Sequence, residues 1–428
     1  MVTSAERLAI EGGEPVRRGE FHPWPVFTER DEQALLETLR SGHWGAHVGG
    51  KCRAFEARFA EFQQAKYGVT VANGTAALEV ALRAAGVGFG DEVIVPPYTF
   101  IATASACLMV DALPVFADID PHTYQIDPRS IEEWITPRTK AIVAVHIGGA
   151  PADMDGVLDV ARRHDLKVIE DAAQAHGAAW RGQRVGALGD LGTFSFQSSK
   201  NLNAGEGGIV LTNREELYDL VWSLANVGRI RQGAWYQHEL LGWNYRLTEF
   251  QAALLLAQLD RLPEQMARRE ANAAYLADGL ARVPGIRPLQ RDPRATAHAW
   301  HLFIGRYDPA AWDGVPRERV LAAWRAEGIP VSAGYTTPLH FMPVILREIA
   351  RVHAIADGGR HAHQRWVAAG QPHPSPESQR GRCPVAERAC DMEGFWFSQH
   401  VLLGTRDDLD AIIAAAHKLW RRRDALRR

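Results

Sequence analysis

Two residues of this 428-residue sequence are of the types that a pyridine-based cofactor requires. Lys200 ends the run Thr193-Phe-Ser-Phe-Gln-Ser-Ser-Lys200, and small residues follow it. Asp171 ends the earlier run Lys167-Val-Ile-Glu-Asp171. A carboxylate opposite the ring nitrogen and a lysine at the aldehyde carbon are the two fixed ends of a pyridoxal 5′-phosphate (PLP) site. Taken singly, the lysine is also typical of a solvated turn, and the aspartate of a helix cap.

Two further motifs supply what the rest of such a cofactor needs. Val71-Ala-Asn-Gly74-Thr75-Ala76 passes from an apolar run through glycine into a helix pattern, and the free amides of a helix start can hold a phosphate. Tyr98, in Val95-Pro-Pro-Tyr98, follows another apolar run and can cover a flat ring. A threonine that caps a helix needs no ligand, and ordinary packing explains Tyr98 equally well.

The elements that must position these residues alternate between residues 66 and 212. Helix-patterned segments separate most of the apolar, strand-like runs, which are Val69–Ala72, Glu92–Pro96, Pro114–Asp118, Ala141–Ile147, Lys167–Asp171, Thr193–Phe196 and Gly208–Thr212. This alternation predicts an α/β fold, a doubly wound and mainly parallel sheet with helices on both faces. Ligands of such sheets bind beyond the carboxyl ends of the strands, where the motifs lie.

The pattern changes after the sheet region. Two helices are predicted at Leu247–Leu259, ending at Pro263, and at Ala267–Leu280. Shorter elements follow, with a strand at Trp300–Tyr307 and helices at Arg317–Glu327 and Arg406–Ala425. We therefore expect a large domain with an N-terminal arm over residues 1–262 and a smaller α+β domain over 263–428. Residues 358–383, rich in Gly, His, Pro and Ser, are expected to form a long loop or a mobile flap.

Composition excludes several classes of protein. A formal charge of −3 supplies no broad positive field for nucleic acid. No apolar run approaches the length of a membrane span, and we expect neither a membrane partner nor a secretory signal. Four cysteines without a CxxC pair favour the cytoplasm. Since no HExxH motif is present, no metal site is expected, and the glycines around Lys200 do not form the dinucleotide fingerprint of a nicotinamide enzyme.

The motifs, in this order, resemble the DegT/StrS family of sugar aminotransferases, PLP enzymes of the aspartate-aminotransferase fold (fold type I). The resemblance covers nearly the whole chain. Besides the runs quoted above, it includes Pro97-Tyr-Thr-Phe-Ile-Ala-Thr103, Glu170-Asp-Ala-Ala-Gln-Ala-His-Gly177, Gly205-Glu-Gly-Gly208 and Gly242-Trp-Asn-Tyr-Arg-Leu-Thr-Glu249.

The resemblance implies a role for each matching residue. Lys200 is expected to hold the cofactor covalently and to act as the base once released, and Asp171 is expected to pair with the ring nitrogen. Four residues are expected to contact the cofactor phosphate: Gly74, Thr75, Ala76 and Ser195. Gln174 is expected to bind the ring oxygen, and Tyr98 to stack on the ring. Asn244 is expected to reach the cofactor phosphate of the neighbouring subunit. The last contact implies a homodimer with shared active sites.

The substrate is predicted from a closer branch of the family. Ser41-Gly-His-Trp44, the opening Leu8-Ala-Ile-Glu-Gly-Gly-Glu-Pro15 and Cys383-Pro-Val-Ala-Glu-Arg388 are similar to scyllo-inosose aminotransferases and aminohydroxybenzoate synthases. We expect transfer of an amino group from L-glutamate or L-glutamine to a keto-cyclitol or keto-sugar, in aminocyclitol or antibiotic biosynthesis. The predicted substrate contacts are Trp44, His176, Tyr335 and His340, although packing also explains the last two.

Three alternatives remain open. One is a nucleotide-sugar aminotransferase, and another is a dehydratase similar to an aminohydroxybenzoate synthase. Family members with histidine in place of the lysine are dehydratases, so the lysine at position 200 favours transamination. The third is a regulatory protein that keeps the fold without turnover, against which the presence of Lys200, Asp171 and Gln174 argues.

Overall fold

A computed structural model describes residues 7–358 and 375–427. The strands are β1 (Tyr67–Val71), β2 (Glu92–Val95), β3 (Leu113–Phe116), β4 (Thr139–Val145), β5 (Lys167–Asp171), β6 (Ala179–Trp180), β7 (Gln183–Arg184), β8 (Leu191–Ser195), β9 (Gly208–Thr212), β10 (Ile286–Pro288), β11 (Ala295–Ala297), β12 (Leu302–Tyr307) and β13 (Gly394–Ser398).

The α-helices of the described residues surround these strands. They are α1 (Glu29–Ser41), α2 (Lys51–Phe62), α3 (Gly74–Ala84), α4 (Ala102–Met109), α5 (Pro128–Glu133), α6 (Met154–His164), α7 (Glu215–Ala225), α8 (Glu249–Leu259), α9 (Leu262–Leu280), α10 (Arg317–Ala326), α11 (Pro343–Gly358), α12 (Pro384–Arg388) and α13 (Arg406–Arg421). Among the described residues, no helix is long and apolar enough to cross a membrane.

The seven predicted runs form one sheet in the order β1-β9-β8-β5-β4-β2-β3. Every pairing from β8 to β3 is parallel, and β9 alone runs antiparallel to both its neighbours. The mainly parallel α/β sheet predicted from the sequence is therefore confirmed. Its carboxyl ends include Asp171 on β5 and Ser195 on β8, which places two of the motifs at one edge.

Helices bury both faces of this sheet. Along β4, Val143 belongs to the apolar cluster that contains α3, whereas its neighbour Ile142 belongs to the cluster that contains Val157 of α6. Successive side chains of a strand point to opposite faces, so the two clusters lie on opposite sides of the sheet. Burial on both sides explains why the strands read as continuous apolar runs rather than as alternating ones.

The C-terminal part has its own antiparallel sheet, in the order β10-β12-β13. Leu8 packs into the apolar cluster of this part, and the amides of Ala9 and Val16 donate hydrogen bonds to the buried carboxylate of Glu327. Lys418 Nζ lies 2.9 Å from the same carboxylate. The first described residues therefore pack on the smaller part of the molecule, although the predicted division placed them in the large domain. The boundary at residues 262 and 263 stays a prediction.

Two local expectations are refined by the structure. Pro263 does not end a helix but lies in the first turn of α9, where its missing amide hydrogen is not needed. Of the loop expected over residues 358–383, the part from 359 to 374 lies outside the described residues. The described remainder begins with a short 3-10 helix at Pro376–Gln379 and leads into α12.

Candidate active site

A cavity of about 1550 Å³ opens at the carboxyl ends of the parallel strands. Val145, Asp171 and Ser195, the last residues of β4, β5 and β8, lie in its wall. This is the position at which sheets of this type bind their ligands. The sequence-predicted residues that the fold brings to this one cavity are Gly74, Thr75, Ala76, Asp171, Gln174, Ser195, Lys200 and Tyr335.

The start of α3 forms an anion-binding corner of the cavity. The amides of Gly74 and Thr75 occupy the first two helical positions, which have no carbonyl partner within a helix. The side chain of Asn73 caps the helix by accepting a hydrogen bond from the Ala76 amide at 2.9 Å. The predicted phosphate contact of Ala76 is therefore weakened, because its amide is already engaged, while those of Gly74 and Thr75 are available.

Glycine at position 74 allows the helix to approach the end of β8. A Cβ atom at this position would lie 2.7 Å from Cβ of Ser195, closer than two carbon atoms can pack. The Ser195 hydroxyl accepts a hydrogen bond from the Gln197 amide at 3.3 Å, which leaves its own hydrogen free to donate. Helix amides, the helix dipole and a hydroxyl together suit the phosphate group of PLP.

Asp171 supplies a buried carboxylate to the same cavity wall. Thr103 Oγ1 donates to one carboxylate oxygen at 2.8 Å, and the Ala173 amide donates to the other at 3.2 Å. Burial raises the pKa of Asp171, and these hydrogen bonds partly oppose the rise because they favour the ionised form. A buried carboxylate with fixed oxygens fits a protonated pyridine nitrogen.

Lys200 lies in the same cavity wall. Burial lowers the pKa of its amine, and the negative charge of Asp171 works in the opposite direction. Desolvation thus favours a neutral amine, the form that can attack an aldehyde carbon or accept a proton. The lysine, the carboxylate and the amide corner together fit PLP, and they are the residues that would hold its aldehyde carbon, its ring nitrogen and its phosphate.

Gln174 and Tyr335 close another side of the cavity. Gln174 Oε1 accepts a hydrogen bond from the Gly148 amide at 2.7 Å, and its Nε2 lies 3.5 Å from the Tyr335 hydroxyl. The tyrosine ring packs edge-on against Tyr98 and Trp396. Both predicted residues therefore present polar atoms to the cavity from fixed positions.

Tyr98 does not lie in the cavity wall. Its ring is fully buried against Tyr124 and Tyr335, and its hydroxyl has no hydrogen-bond partner among the described residues. Phe100, two residues later, does line the cavity and is 59% exposed. The predicted stacking role of Tyr98 thus lacks the required position, and Phe100 has it. The signal in the sequence was a second aromatic residue after the same apolar run, two residues before α4.

Three of the four predicted substrate contacts lie away from the cavity. His176 is fully buried among Phe59, Phe194 and Phe196, and its Nε2 lies 3.0 Å from the Ser195 carbonyl oxygen. Burial lowers the pKa of His176 to about 3, so the ring is neutral. His176 therefore helps to fix the end of β8, which carries Ser195, and does not line the cavity.

His340 and Trp44 are likewise displaced from the cavity. His340 is buried, with Nε2 3.2 Å from a carboxylate oxygen of Glu387. Trp44 is half-exposed and packs against Phe250. Of the predicted substrate contacts, only Tyr335 lies in the described cavity wall.

Asn244 is exposed and lies outside the cavity of its own chain. Its backbone pairs with that of Asn226 in an isolated bridge at the end of α7. This position gives Asn244 no role in the cavity described above, and its predicted contact with a neighbouring subunit stays a prediction.

Other residues of the wall were missed by the sequence reasoning. The segment 19–25 crosses the cavity, and Trp24 Nε1 donates a hydrogen bond to the Ser198 carbonyl oxygen at 3.0 Å. His301 and Gln399, from the C-terminal sheet, also line the cavity. No motif marks these positions, because they meet the cavity only through the packing of two distant parts of the chain. Among the described residues, no cluster of His, Cys, Asp and Glu could hold a metal ion.

Comparison with known proteins gives a consistent result over the whole chain. Residues 25–366 match the DegT/DnrJ/EryC1/StrS aminotransferase family. The chain is 40% identical over 441 residues to an L-glutamine:2-deoxy-scyllo-inosose aminotransferase from Streptoalloteichus tenebrarius, covering 98% of this chain and 99% of the relative. It is 39% identical over 432 residues to the protein of the same name from Streptomyces lividus, covering 97% and 98%.

Solved structures agree in fold. The structure of 3-amino-5-hydroxybenzoic acid synthase superposes with a TM-score of 0.83 at 33% identity and covers 95% of this chain and 100% of its own. The PLP form of Spr1654 from Streptococcus pneumoniae superposes with a TM-score of 0.78 at 26% identity, covering 95% and 100%.

Proposed function

Because the chain belongs to the DegT/DnrJ/EryC1/StrS aminotransferase family, we propose that it moves the amino group of L-glutamine to the ketone of an inosose-like cyclitol, with PLP as cofactor. The chain is an aminotransferase. The single observation that supports PLP chemistry is the position of Lys200 and Asp171 in one cavity, beside the free amides of α3. When bound, PLP supplies an electron sink for the charge that develops at the substrate carbon.

The protein's own groups hold the reactants and move the protons. The amides of Gly74 and Thr75 and the hydroxyl of Ser195 would bind the phosphate, and Asp171 would keep the ring nitrogen protonated. The neutral amine of Lys200 accepts the proton from the α-carbon of the amino donor. In the second half of the reaction, the same amine delivers a proton to the carbon that was the ketone of the acceptor.

The acceptor is assigned from the relatives. Full-length identity of about 40% to L-glutamine:2-deoxy-scyllo-inosose aminotransferases supports L-glutamine as donor and a keto-cyclitol as acceptor. A nucleotide-linked keto-sugar remains the second candidate, because the structure of DesI with its TDP-sugar product superposes on this chain with a TM-score of 0.79 at 30% identity. Retention of Lys200 favours amino transfer over the dehydratase alternative.

Two copies of the chain are proposed to share their active sites. Asn244 is exposed outside its own cavity, and the segment before it carries the exposed apolar side chains Trp235, Tyr236 and Leu241. Pairing of two copies across this segment would bury those side chains and bring Asn244 to the phosphate corner of the partner. The four cysteines are free and buried, which supports a reducing, cytoplasmic setting.

The proposal is tested by the visible absorbance of the purified protein after loading with PLP. We expect a band from lysine-bound cofactor that bleaches on addition of L-glutamine in the absence of an acceptor. Lys200→Ala should abolish this band, whereas Lys66→Ala, at an exposed position outside the cavity, should leave it unchanged. A wild-type protein that binds no PLP contradicts the proposal.

A further inference from the structure

Two buried polar residues at the ends of strands of the C-terminal sheet line the cavity and are not among the proposed PLP contacts. They are His301, which precedes β12, and Gln399, which follows β13. Leu302 pairs with Ser398 in antiparallel register, so His301 and Gln399 are the next cross-strand neighbours beyond that pair. Opposed residues of this kind have Cβ atoms about 5 Å apart and project to the same face.

The orientation of the Gln399 amide is fixed by Arg269. Its Oε1 accepts hydrogen bonds from Arg269 Nε at 3.1 Å and Nη2 at 2.5 Å. A guanidinium group has only donors, so the amide oxygen must face Arg269 and the amide NH₂ must face away. That Nε2 group is buried and finds no partner within residues 7–358 and 375–427. A buried donor without a partner is costly, which points to a ligand atom as its acceptor.

The tautomer of His301 is fixed in a similar way, by Asn201. Asn201 Nδ2 donates to the Ala299 carbonyl oxygen at 2.7 Å, so its Oδ1 is the atom that faces His301 Nδ1 at 3.1 Å. His301 Nδ1 therefore carries the hydrogen. Burial holds the pKa of His301 well below its usual value, so the ring is neutral. Its Nε2 is left as a hydrogen-bond acceptor.

We propose that Gln399 and His301 together bind one hydroxyl group of a polyhydroxylated ring in the cavity, and so help to select the acceptor. A hydroxyl can accept from Gln399 Nε2 and donate to His301 Nε2 at the same time. A methylene group would satisfy neither atom, and a carboxylate would place negative charge against the lone pair of His301. This assignment rests on the proposed function, since the cyclitol is the ring that supplies the hydroxyl.

Binding of scyllo-inositol to the PLP-loaded enzyme tests the assignment without turnover. This polyol has ring hydroxyls but no ketone, so calorimetry measures hydroxyl recognition alone. Gln399→Glu keeps an oxygen for Arg269 and the same side-chain shape, but it removes the NH₂ donor. We expect it to weaken binding about five- to tenfold, the value of one or two hydrogen bonds. His301→Phe, which removes the acceptor, should have a similar effect.

Controls separate this inference from the proposed function and from a general loss of structure. Gln33→Glu, on the exposed face of α1, should bind scyllo-inositol as the wild type does. Bleaching of the bound cofactor by L-glutamine should still occur in both variants, which shows that each of them holds reactive PLP, and their melting temperatures should be unchanged. Failure of wild-type protein to react with L-glutamine contradicts the proposed function. Wild-type protein that does not bind scyllo-inositol, or variants that bind it equally well, overturn the hydroxyl assignment.

Discussion

Thr103 Oγ1 donates a hydrogen bond of 2.8 Å to Asp171 Oδ2 in the interior of the protein. Thr99 Oγ1 lies 3.2 Å from Thr103 Oγ1 and, since the Thr103 hydrogen is already engaged, acts as the donor between them. Because Thr99 lines the cavity, a relay of two hydroxyls links the cavity wall to the carboxylate. The relay fixes the rotamer of Asp171 and favours its charged form.

Replacement of Thr103 should therefore slow amino transfer without preventing PLP from binding. In Thr103→Val, loss of the hydrogen bond raises the pKa of Asp171 further, because burial then acts with less opposition. We expect amino transfer from L-glutamine to slow about tenfold, in line with a hydrogen bond to a charged group. Stopped-flow absorbance measures this step. Thr193→Val is the matched control, because that hydroxyl bonds a backbone oxygen; equal rates in the two variants would contradict the role of Thr103.

Gly74→Ala should weaken cofactor binding. The new Cβ would lie 2.7 Å from Ser195 Cβ, so α3 must move away from the end of β8 and its amides must move with it. We expect the dissociation constant for PLP to rise about tenfold or more, the loss of roughly one charge-assisted hydrogen bond. A fluorescence titration measures it. Gly50→Ala, where a Cβ meets nothing within 4 Å at the start of α2, is the control. Unchanged affinity in Gly74→Ala would refute the proposed phosphate corner.

Substitutions of Phe100 and Tyr98 should differ in their effects on PLP affinity. Phe100 lines the cavity, so Phe100→Ala removes a flat surface for the cofactor ring and should weaken PLP binding by about 1 kcal/mol. Tyr98→Phe removes a buried hydroxyl that has no partner in the described chain, and it should leave PLP affinity unchanged. The same titration compares the variants. An effect of Tyr98→Phe that exceeds the effect of Phe100→Ala would restore the role expected from the sequence.

His298 should make the fold sensitive to acid. Burial lowers its pKa to about 3, below the value of about 6.5 for an unfolded imidazole. The unfolded chain therefore binds the additional proton first, and the free energy of unfolding falls as the pH falls from about 6.5 towards 3. One such group contributes a slope of about 1.4 kcal/mol per pH unit.

His298→Asn should flatten this slope. Asparagine retains an acceptor for the Trp300 amide, which donates to His298 Nδ1 at 2.8 Å, but it does not titrate. Urea unfolding at pH 7 and pH 5 measures the change in the free energy of unfolding. His122→Asn, at an exposed position, should retain the full dependence on pH. A His298→Asn protein that is as sensitive to acid as the wild type would show that this imidazole is not held neutral.

Local sequence patterns were sufficient for the sheet and for the residues at its carboxyl edge. Each strand of the large sheet is buried on both faces and so reads as an apolar run, and the polar residue that ends such a run must lie at the edge where ligands bind. Asp171 and Ser195 could be found in this way, and Lys200 because it follows Ser195 closely in a segment of small polar residues. Gly74 could be found because a glycine at this position separates a predicted strand from a predicted helix.

Contacts between distant parts of the chain were not accessible to the same reasoning. His176 and His340 are adjacent to recognisable motifs, yet the first packs among phenylalanine rings, the second pairs with Glu387, and neither lines the cavity. Conversely, His301 and Gln399 lie in no motif and reach the cavity only because β12 pairs with β13 beside the large sheet. Proximity in sequence to a motif does not determine on which side of a strand or helix a side chain emerges.

Transfer of a labelled amino group is a direct test of the proposed aminotransferase reaction. The PLP-loaded enzyme is incubated with L-glutamine labelled with ¹⁵N at the α-amino group and with 2-deoxy-scyllo-inosose, and the products are analysed by mass spectrometry. We expect an aminocyclitol that carries ¹⁵N, formed by the wild type and absent with Lys200→Ala. A wild-type reaction that yields no labelled amine on the cyclitol, while the label remains in glutamine, would contradict it.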